Sequence, residues 1–337
     1  MIRRPPRSTP SNSSAASDVY KRQMKDKICR NEGRLCLVTV SGGSNVTGVI
    51  PPIRRIARLA HAHGAMIAVD ATQLVAHRKF KMGASDDPER VDFAAFSAHK
   101  MYAPFGSGVL VGPRWVFERG TPDIVGGGTV SGVTIDEVAW ADPPEREEAG
   151  TPNLPGALAL ATAIRTLESI GMDNLAEHER ELTRRALAKL TRMEGLTLFG
   201  PKDPSLGQDR LGVIALNAGG LSHAKLAAIL GYEWGIGARN GCFCAHPYVR
   251  ELLGISMEEM QAVIRKLASG DHATTPGMVR ASLGVYNSAE EVDYFVEALQ
   301  RIVRFGPRAE YVLDANRKGY IPLLSPSTSA ATPGAVS

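Results

Sequence analysis

Leu35-Cys36-Leu37-Val38-Thr39-Val40 is a short apolar run rich in β-formers, and it reads as a buried strand. It ends in Ser41-Gly42-Gly43-Ser44-Asn45-Val46-Thr47-Gly48, a small-residue loop of the kind that collects ligands at the carboxyl end of a strand. Pro51 and Pro52 then open a helix that runs to about His63, with Ile53, Ile56, Ala57 and Ala60 at helical spacing. Gly64 closes it, and Ala65 to Val69 forms a second strand that stops on Asp70. Strand, helix, strand predicts a βαβ unit and therefore a parallel sheet. His61 and His63 fall at the helix end, where charge or hydrogen bonding at a C-terminus accounts for them.

A third strand is predicted over Val91–Phe96 and a fourth over Ser107–Val111. Between them the chain changes abruptly into Ser97-Ala98-His99-Lys100, followed by Pro104, Gly106 and Gly108. A lone lysine in a loop is usually a solvated charge. One just beyond a buried strand, beside a hydroxyl and an imidazole, suits a lysine that holds a carbonyl cofactor as a Schiff base.

Pyridoxal phosphate makes further demands, and the chain has residues for each. Asp70 ends an apolar strand and suits the partner of the pyridine nitrogen, because a charge there needs a partner. Ser97 and His99 are donors for the phosphate, while Gln73 and Asn45 suit the ring's edge. In a parallel sheet these strand ends converge on one rim. Each residue alone is ordinary: Asp70 as a helix cap, Gln73 as a surface amide, Ser97 as a turn residue. The combination is specific.

Later segments change character. A helix is predicted from about Gly156 to Ile170 and a charged one over 173–193. Short strands at 195–199, 211–217 and 278–283 then alternate with helices at 222–231, 256–269 and 288–304. The expected organisation is a leader over 1–23, non-native or disordered, and a partial cofactor-binding large domain over 24–160. An α+β small domain over 161–317 and a disordered Ser/Pro/Ala-rich tail over 318–337 complete it.

The chain has 337 residues, 44% hydrophobic and 22% charged, as expected of a soluble globular protein. Its net charge is +4, and residues 1–23, with five basic side chains against Asp18, carry all of it. The remainder is neutral, which argues against nucleic-acid binding. No apolar run is long enough to span a bilayer, and the leader lacks the apolar core of a secretory signal. Four cysteines are too few for a disulfide framework, and Cys242 and Cys244 lie too close in sequence for the usual zinc spacing. A cytoplasmic, reduced protein is expected, with no metal.

Four segments together resemble the class V aminotransferase fold, specifically the cysteine desulfurase/selenocysteine lyase group. They are Ser44-Asn45-Val46-Thr47-Gly48, Val69-Asp70-Ala71-Thr72-Gln73, Ser97-Ala98-His99-Lys100 and Glu148-Ala149-Gly150-Thr151-Pro152-Asn153. The resemblance runs from about Arg34 to Arg304, begins partway through the family's large domain, and implies fold type I: a mainly parallel sheet plus a smaller α+β domain. It implies that Lys100 is the Schiff-base lysine, Asp70 the pyridine-nitrogen partner, Gln73 and Asn45 ring-edge groups, and Ser97 and His99 phosphate ligands. Thr151 matches a threonine that reaches the phosphate from the neighbouring subunit of a homodimer.

Gly237-Ala238-Arg239-Asn240-Gly241-Cys242-Phe243-Cys244-Ala245-His246-Pro247 resembles the family's Arg-x-Gly-x-x-Cys loop, with Cys244 as the nucleophile that takes sulfur as a persulfide. Such a cysteine needs a mobile, partly exposed loop near positive charge, here Arg239 and His246. Otherwise Cys244 is a small buried hydrophobe. Arg280, in Val279-Arg280-Ala281-Ser282-Leu283, matches the arginine that binds the substrate α-carboxylate, a suitable task for a bidentate guanidinium. Asn240 departs from the pattern, standing where threonine is common, and the Gly-Cys-Phe-Cys run is also similar to molybdenum-cofactor sulfurases.

The expected function is desulfuration of L-cysteine or L-selenocysteine, releasing alanine and passing sulfur through Cys244 to an acceptor protein. Two alternatives stay open: another class V aminotransferase or lyase with Cys244 as a bystander, and a non-catalytic remnant or interaction module.

Overall fold

The computed structural model describes residues 23–31, 33–203, 210–268, 275–314 and 319–323. Of the expected leader over 1–23, residues 1–22 lie outside the described residues and Gln23 starts a helix; of the expected tail over 318–337, residue 318 and those beyond 323 lie outside them. The chain divides into two compact units: Met1–Ser44 with Ile50–Glu177, and Asn45–Val49 with His178–Ser337. The expected boundary at 160 would cut a continuous helix, Leu154–Ile170, which the first unit keeps whole.

Unit 1 opens with helix α1 over 23–30 and strand β1, Leu37–Ser41. Helix α2, Ile53–Ala62, then leads into β2, Met66–Asp70. β1 and β2 run parallel, in register from Leu37 with Met66 to Ser41 with Asp70, as the βαβ pattern predicts. α2 buries Ile53, Ile56, Ala57 and Ala60 against these strands, one apolar stripe spaced at three and four residues. Val38, Val40, Ile67, Val69 and Ala94 are the buried sheet residues. Period-two alternation therefore turns Asp70, Ala95 and Leu110 to the exposed face.

β3, Phe93–Ser97, is parallel to β2, whereas β4, Gly108–Val111, runs antiparallel to β3. The connection, residues 98–107, is too short for a parallel crossover, which needs a dozen residues or more. Helix α3 (Arg114–Phe117) and the hairpin β5 (Val130–Val133) with β6 (Val138–Trp140) follow, and neither is evident in the sequence pattern. Helix α4, Leu154–Ile170, is capped by Asn153, whose side chain accepts from the Gly156 amide. Helix α5, Met172–Leu190, spans the division.

Unit 2 is built on an antiparallel sheet, ordered β7 (Leu196–Phe199), β8 (Val213–Ala218), β10 (Met278–Ser282), β9 (Arg239–Gly241). One sheet face, with Ile214, Leu216 and Val279, packs on Leu182 and Leu187 of α5, Leu226 and Leu230 of α6 (His223–Trp234), and Phe295 and Leu299 of α9 (Ala289–Phe305). The opposite face holds a smaller cluster of Val46, Ala215, Phe243, Val249 and Met278, with Val249 supplied by α7, His246–Leu253. Helix α8, Met257–Ala268, follows α7.

The expected disordered tail from 318 is corrected over Gly319–Pro322. There a strand, β12, pairs antiparallel with β11, Tyr311–Asp314, and Tyr320 packs on the unit's core. Backbone pairing plus one anchored aromatic offsets the ordering entropy that the segment's composition alone does not.

Candidate active site

In unit 1, Asp70 and Lys100 follow the carboxyl ends of adjacent parallel strands. Asp70 closes β2 opposite Ala95 of β3, and three residues beyond Ala95 the chain enters a 3-10 turn, Ala98–Met101. Ala98 and Met101 are buried, and three residues per turn set His99 and Lys100 on the outward sides. His99 is exposed, while Lys100 and Ser97 are half-buried.

Tyr102 and Phe105 then take left-handed backbone, φ 65° and 70°, and reverse the chain. Asn153 Nδ2 donates to the Phe105 carbonyl at 2.6 Å, and Ser107 Oγ to that of Gly156 at 3.2 Å, so the loop behind Lys100 is pinned to the start of α4.

Asp70 is exposed, and its Oδ1 accepts from the Thr72 amide at 3.0 Å, opening the turn that carries half-buried Gln73. Its carboxylate has no other partner among the described residues. The Gly42 amide donates to the Asp70 carbonyl at 2.7 Å, and a Cβ on Gly42 would meet that oxygen at 3.1 Å. The Gly-Gly loop after β1 thus lets the chain pass close to Asp70. A carboxylate with an uncommitted oxygen, a lysine past the neighbouring strand, and a hydroxyl, an imidazole and an amide around them fit pyridoxal phosphate. Thr151 is exposed in the bend before α4.

In unit 2, Arg239 of β9 and Arg280 of β10 are register partners. Burial pulls the Arg280 guanidinium below its ordinary value, the charge of Arg239 adds to this, and the Cys244 thiolate opposes it. Two cations and a sulfur therefore share one neighbourhood. Cys244 is exposed, as a transferring thiol must be, and not a buried hydrophobe. Cys242 is half-buried, its Sγ donates to the Pro276 carbonyl at 3.3 Å, and burial pushes its thiol up.

Asn45 belongs to this second group. Its Nδ2 donates to the Phe243 carbonyl at 2.7 Å, and its own carbonyl accepts from Arg280 Nη1 at 2.8 Å. The structure thus gathers Asp70, Gln73, Ser97, His99 and Lys100 in unit 1, and Asn45, Arg239, Arg280 and Cys244 in unit 2.

Two supporting residues escape a sequence reading. Phe243 is buried beneath Arg280, a role hinted at only by a large apolar residue amid a small, polar loop. Arg210 is buried and donates to the carbonyls of Pro201 (2.5 Å), Val213 (2.6 Å) and Thr47 (3.2 Å), fastening the Asn45–Val49 segment into unit 2. No local pattern distinguishes it.

A mainly parallel sheet with this lysine and carboxylate at its strand ends defines a fold type I pyridoxal-phosphate-dependent protein. The family model for aminotransferase class-V matches residues 20–295, and the chain belongs to that family. A cysteine desulfurase from Shigella sonnei is 36% identical over 269 residues, which are 80% of this chain and 58% of that protein. One from Escherichia coli K12 matches to the same extent, 36% over 269 residues.

Among solved structures, the apo cysteine desulfurase of Thermococcus onnurineus superposes with a TM-score of 0.71 at 34% identity, covering 84% of this chain and 62% of that one. The Escherichia coli cysteine desulfurase CsdA gives a TM-score of 0.67 at 29% identity, over 82% of this chain and 61% of its own. The chain therefore spans 58% of the length of the curated relatives it matches. Among the described residues no helix is long and apolar enough to cross a membrane.

Proposed function

We propose that this chain carries the chemistry of an L-cysteine desulfurase, acting on cysteine or selenocysteine and passing the chalcogen to an acceptor protein. The observation that carries the reading is the placement of exposed Cys244 within electrostatic reach of Arg280, itself in register with Arg239. A substrate α-carboxylate relieves the repulsion between two facing guanidiniums, and charge-assisted bidentate bonding orients it. An amino acid so held has its side-chain sulfur available to the neighbouring thiolate.

Pyridoxal 5′-phosphate, when bound, supplies an electron sink for bonds broken at the substrate's carbon framework. In this reading Lys100 would hold the cofactor through Nζ and would move a proton at the substrate Cα. Asp70 would keep the ring nitrogen protonated, Ser97 and His99 would hold the phosphate, and Gln73 would serve the ring's oxygen edge. Thr151 serves the phosphate of a second copy in a homodimer. Cys244 Sγ attacks the substrate sulfur; an S–S bond forms, the substrate C–S bond breaks, and a proton completes alanine. L-cysteine plus the thiol thus gives L-alanine plus a persulfide, with no external oxidant. Asn45 holds the loop through Phe243 while its carbonyl orients Arg280. A cytoplasmic location suits the free thiol.

The test is the absorption spectrum of the chain with added pyridoxal phosphate, followed by alanine and sulfide release from cysteine with a thiol reductant. A visible band lost in Lys100→Ala, and sulfide release lost in Cys244→Ser, are expected. Retained turnover in Cys244→Ser assigns the chain to another class V lyase or aminotransferase. No band overturns the cofactor assignment for this chain.

A further inference from the structure

Phe243 is 5% exposed, yet it stands in the loop that presents exposed Cys244. Its ring packs in the small cluster with Val46, Ala215, Val249 and Met278. The Arg280 guanidinium carbon lies 4.9 Å from the ring centroid, within cation–π range. The Phe243 carbonyl accepts from Asn45 Nδ2 at 2.7 Å, and the Asn45 carbonyl accepts from Arg280 Nη1 at 2.8 Å, closing a circuit of three residues. Both Phe243 and Cys244 have positive φ, 53° and 59°. Two consecutive non-glycine residues in the left-handed region are costly, and such backbone persists only where its surroundings over-determine it.

We propose that Phe243 is a positioning residue for the Cys244 nucleophile. Its buried ring, gripped beneath Arg280, holds the Phe243–Cys244 pair left-handed and keeps the thiol beside that arginine. One side chain so couples the group that receives the substrate carboxylate to the group that takes the sulfur. The assignment rests on the desulfurase reading for the use made of Cys244. The placement of the thiol does not.

The coupling is read on the chain as it stands, without cofactor or substrate. Iodoacetamide labelling of Cys244 is followed by peptide mass spectrometry near neutral pH, normalised to exposed Cys29 and Cys36 in the same sample. Phe243→Leu keeps an apolar anchor but removes the π face, and it lowers the Cys244 ratio about two- to fivefold, the span of a partly exposed cation–π contact. Phe243→Tyr keeps the face and restores the ratio. About 0.5 M sodium chloride slows Cys244 labelling in the wild type and the tyrosine variant more than in the leucine variant.

A role in core packing alone lowers the urea midpoint of Phe243→Leu and leaves the Cys244 ratio unchanged, which overturns the proposal. If Phe243→Leu does not fold, Phe243→Met, which keeps more bulk, decides by the same ratio. Sulfide release by the wild type is measured separately. Its absence removes the desulfurase reading without touching the labelling result.

Discussion

Arg239 and Arg280 face each other in register across β9 and β10, and neither forms a salt bridge among the described residues. Like charges directly opposite on neighbouring strands are destabilising. In the proposed function the substrate carboxylate binds at this pair and offsets the repulsion, which yields the first prediction.

Arg280→Gln raises the KM for L-cysteine about 10- to 150-fold, the worth of one hydrogen bond to a charged group. Arg239→Gln raises it less, because Arg239 is exposed and Arg280 is not. Arg239→Gln unfolds at an unchanged or slightly higher urea concentration, since the repulsion is gone, whereas Arg280→Gln also loses its bond to the Asn45 carbonyl and its contact with Phe243 and unfolds at a lower one. Steady-state kinetics and denaturation on the same preparations check both parts.

Asp92 is buried, and it accepts from the Ile67 amide (2.8 Å) and Arg90 Nε (3.0 Å) and pairs with His61 Nε2 (2.8 Å). Burial pushes its carboxyl up, but the His61 and Ile67 hydrogen bonds and the charges of His61 and Arg90 outweigh it. The folded value therefore lies below the ordinary 3.8. A carboxyl depressed on folding contributes stability that is present above the unfolded value and lost as pH falls through the folded one. Asp92→Asn thus costs about 1–3 kcal/mol near neutral pH, and less once acid has protonated the wild-type group. Urea midpoints of the two proteins converge below about pH 4.

Burial pulls the Arg210 guanidinium down to about 10, with Glu179 opposing. Three carbonyls depend on this side chain, so Arg210→Met leaves buried acceptors unpaired and costs about 2–4 kcal/mol. The Asn45–Val49 segment loosens first, which appears as faster hydrogen exchange of the Leu211 amide, bonded at 2.7 Å to the Gly48 carbonyl.

Gly42→Val drives a branched side chain toward the Asp70 carbonyl, already 3.1 Å from where a Cβ would lie. Overpacking of this kind costs about 1–3 kcal/mol. Because the displaced strand end carries Asp70, titration with pyridoxal phosphate shows weaker binding as well as a lower unfolding midpoint.

At neutral pH iodoacetamide labels Cys244 faster than Cys242. Burial raises the Cys242 thiol, so less of it is thiolate, and its sulfur is committed to the Pro276 carbonyl.

The βαβ unit from β1 to β2 was legible because its signals are local: β-forming runs, an apolar helical stripe and closing glycines, all within one supersecondary unit. The places of Asp70 and Lys100 stood out because a charged side chain at, or just beyond, the end of an apolar strand breaks the local pattern. The hairpins β5–β6 and β11–β12 and the short strand β9 were not, because each is defined by a partner rather than by its own periodicity. His61, at a helix end, read as a capping group; its partner is Asp92, far along the chain.

Residue types, and their order along the chain, marked the groups proposed to carry the chemistry: an aspartate at a strand end and a lysine just past one, a cysteine in a glycine-bounded loop, and an arginine in a late strand. Tertiary structure alone decided how they are held. The register that sets Arg239 against Arg280 and the asparagine that closes on Phe243 join residues distant in sequence, and the left-handed backbone at Phe243 and Cys244 lies between them. Such contacts depend on strand pairing and close packing, which arise only when the whole unit folds and leave no periodic trace in any one segment.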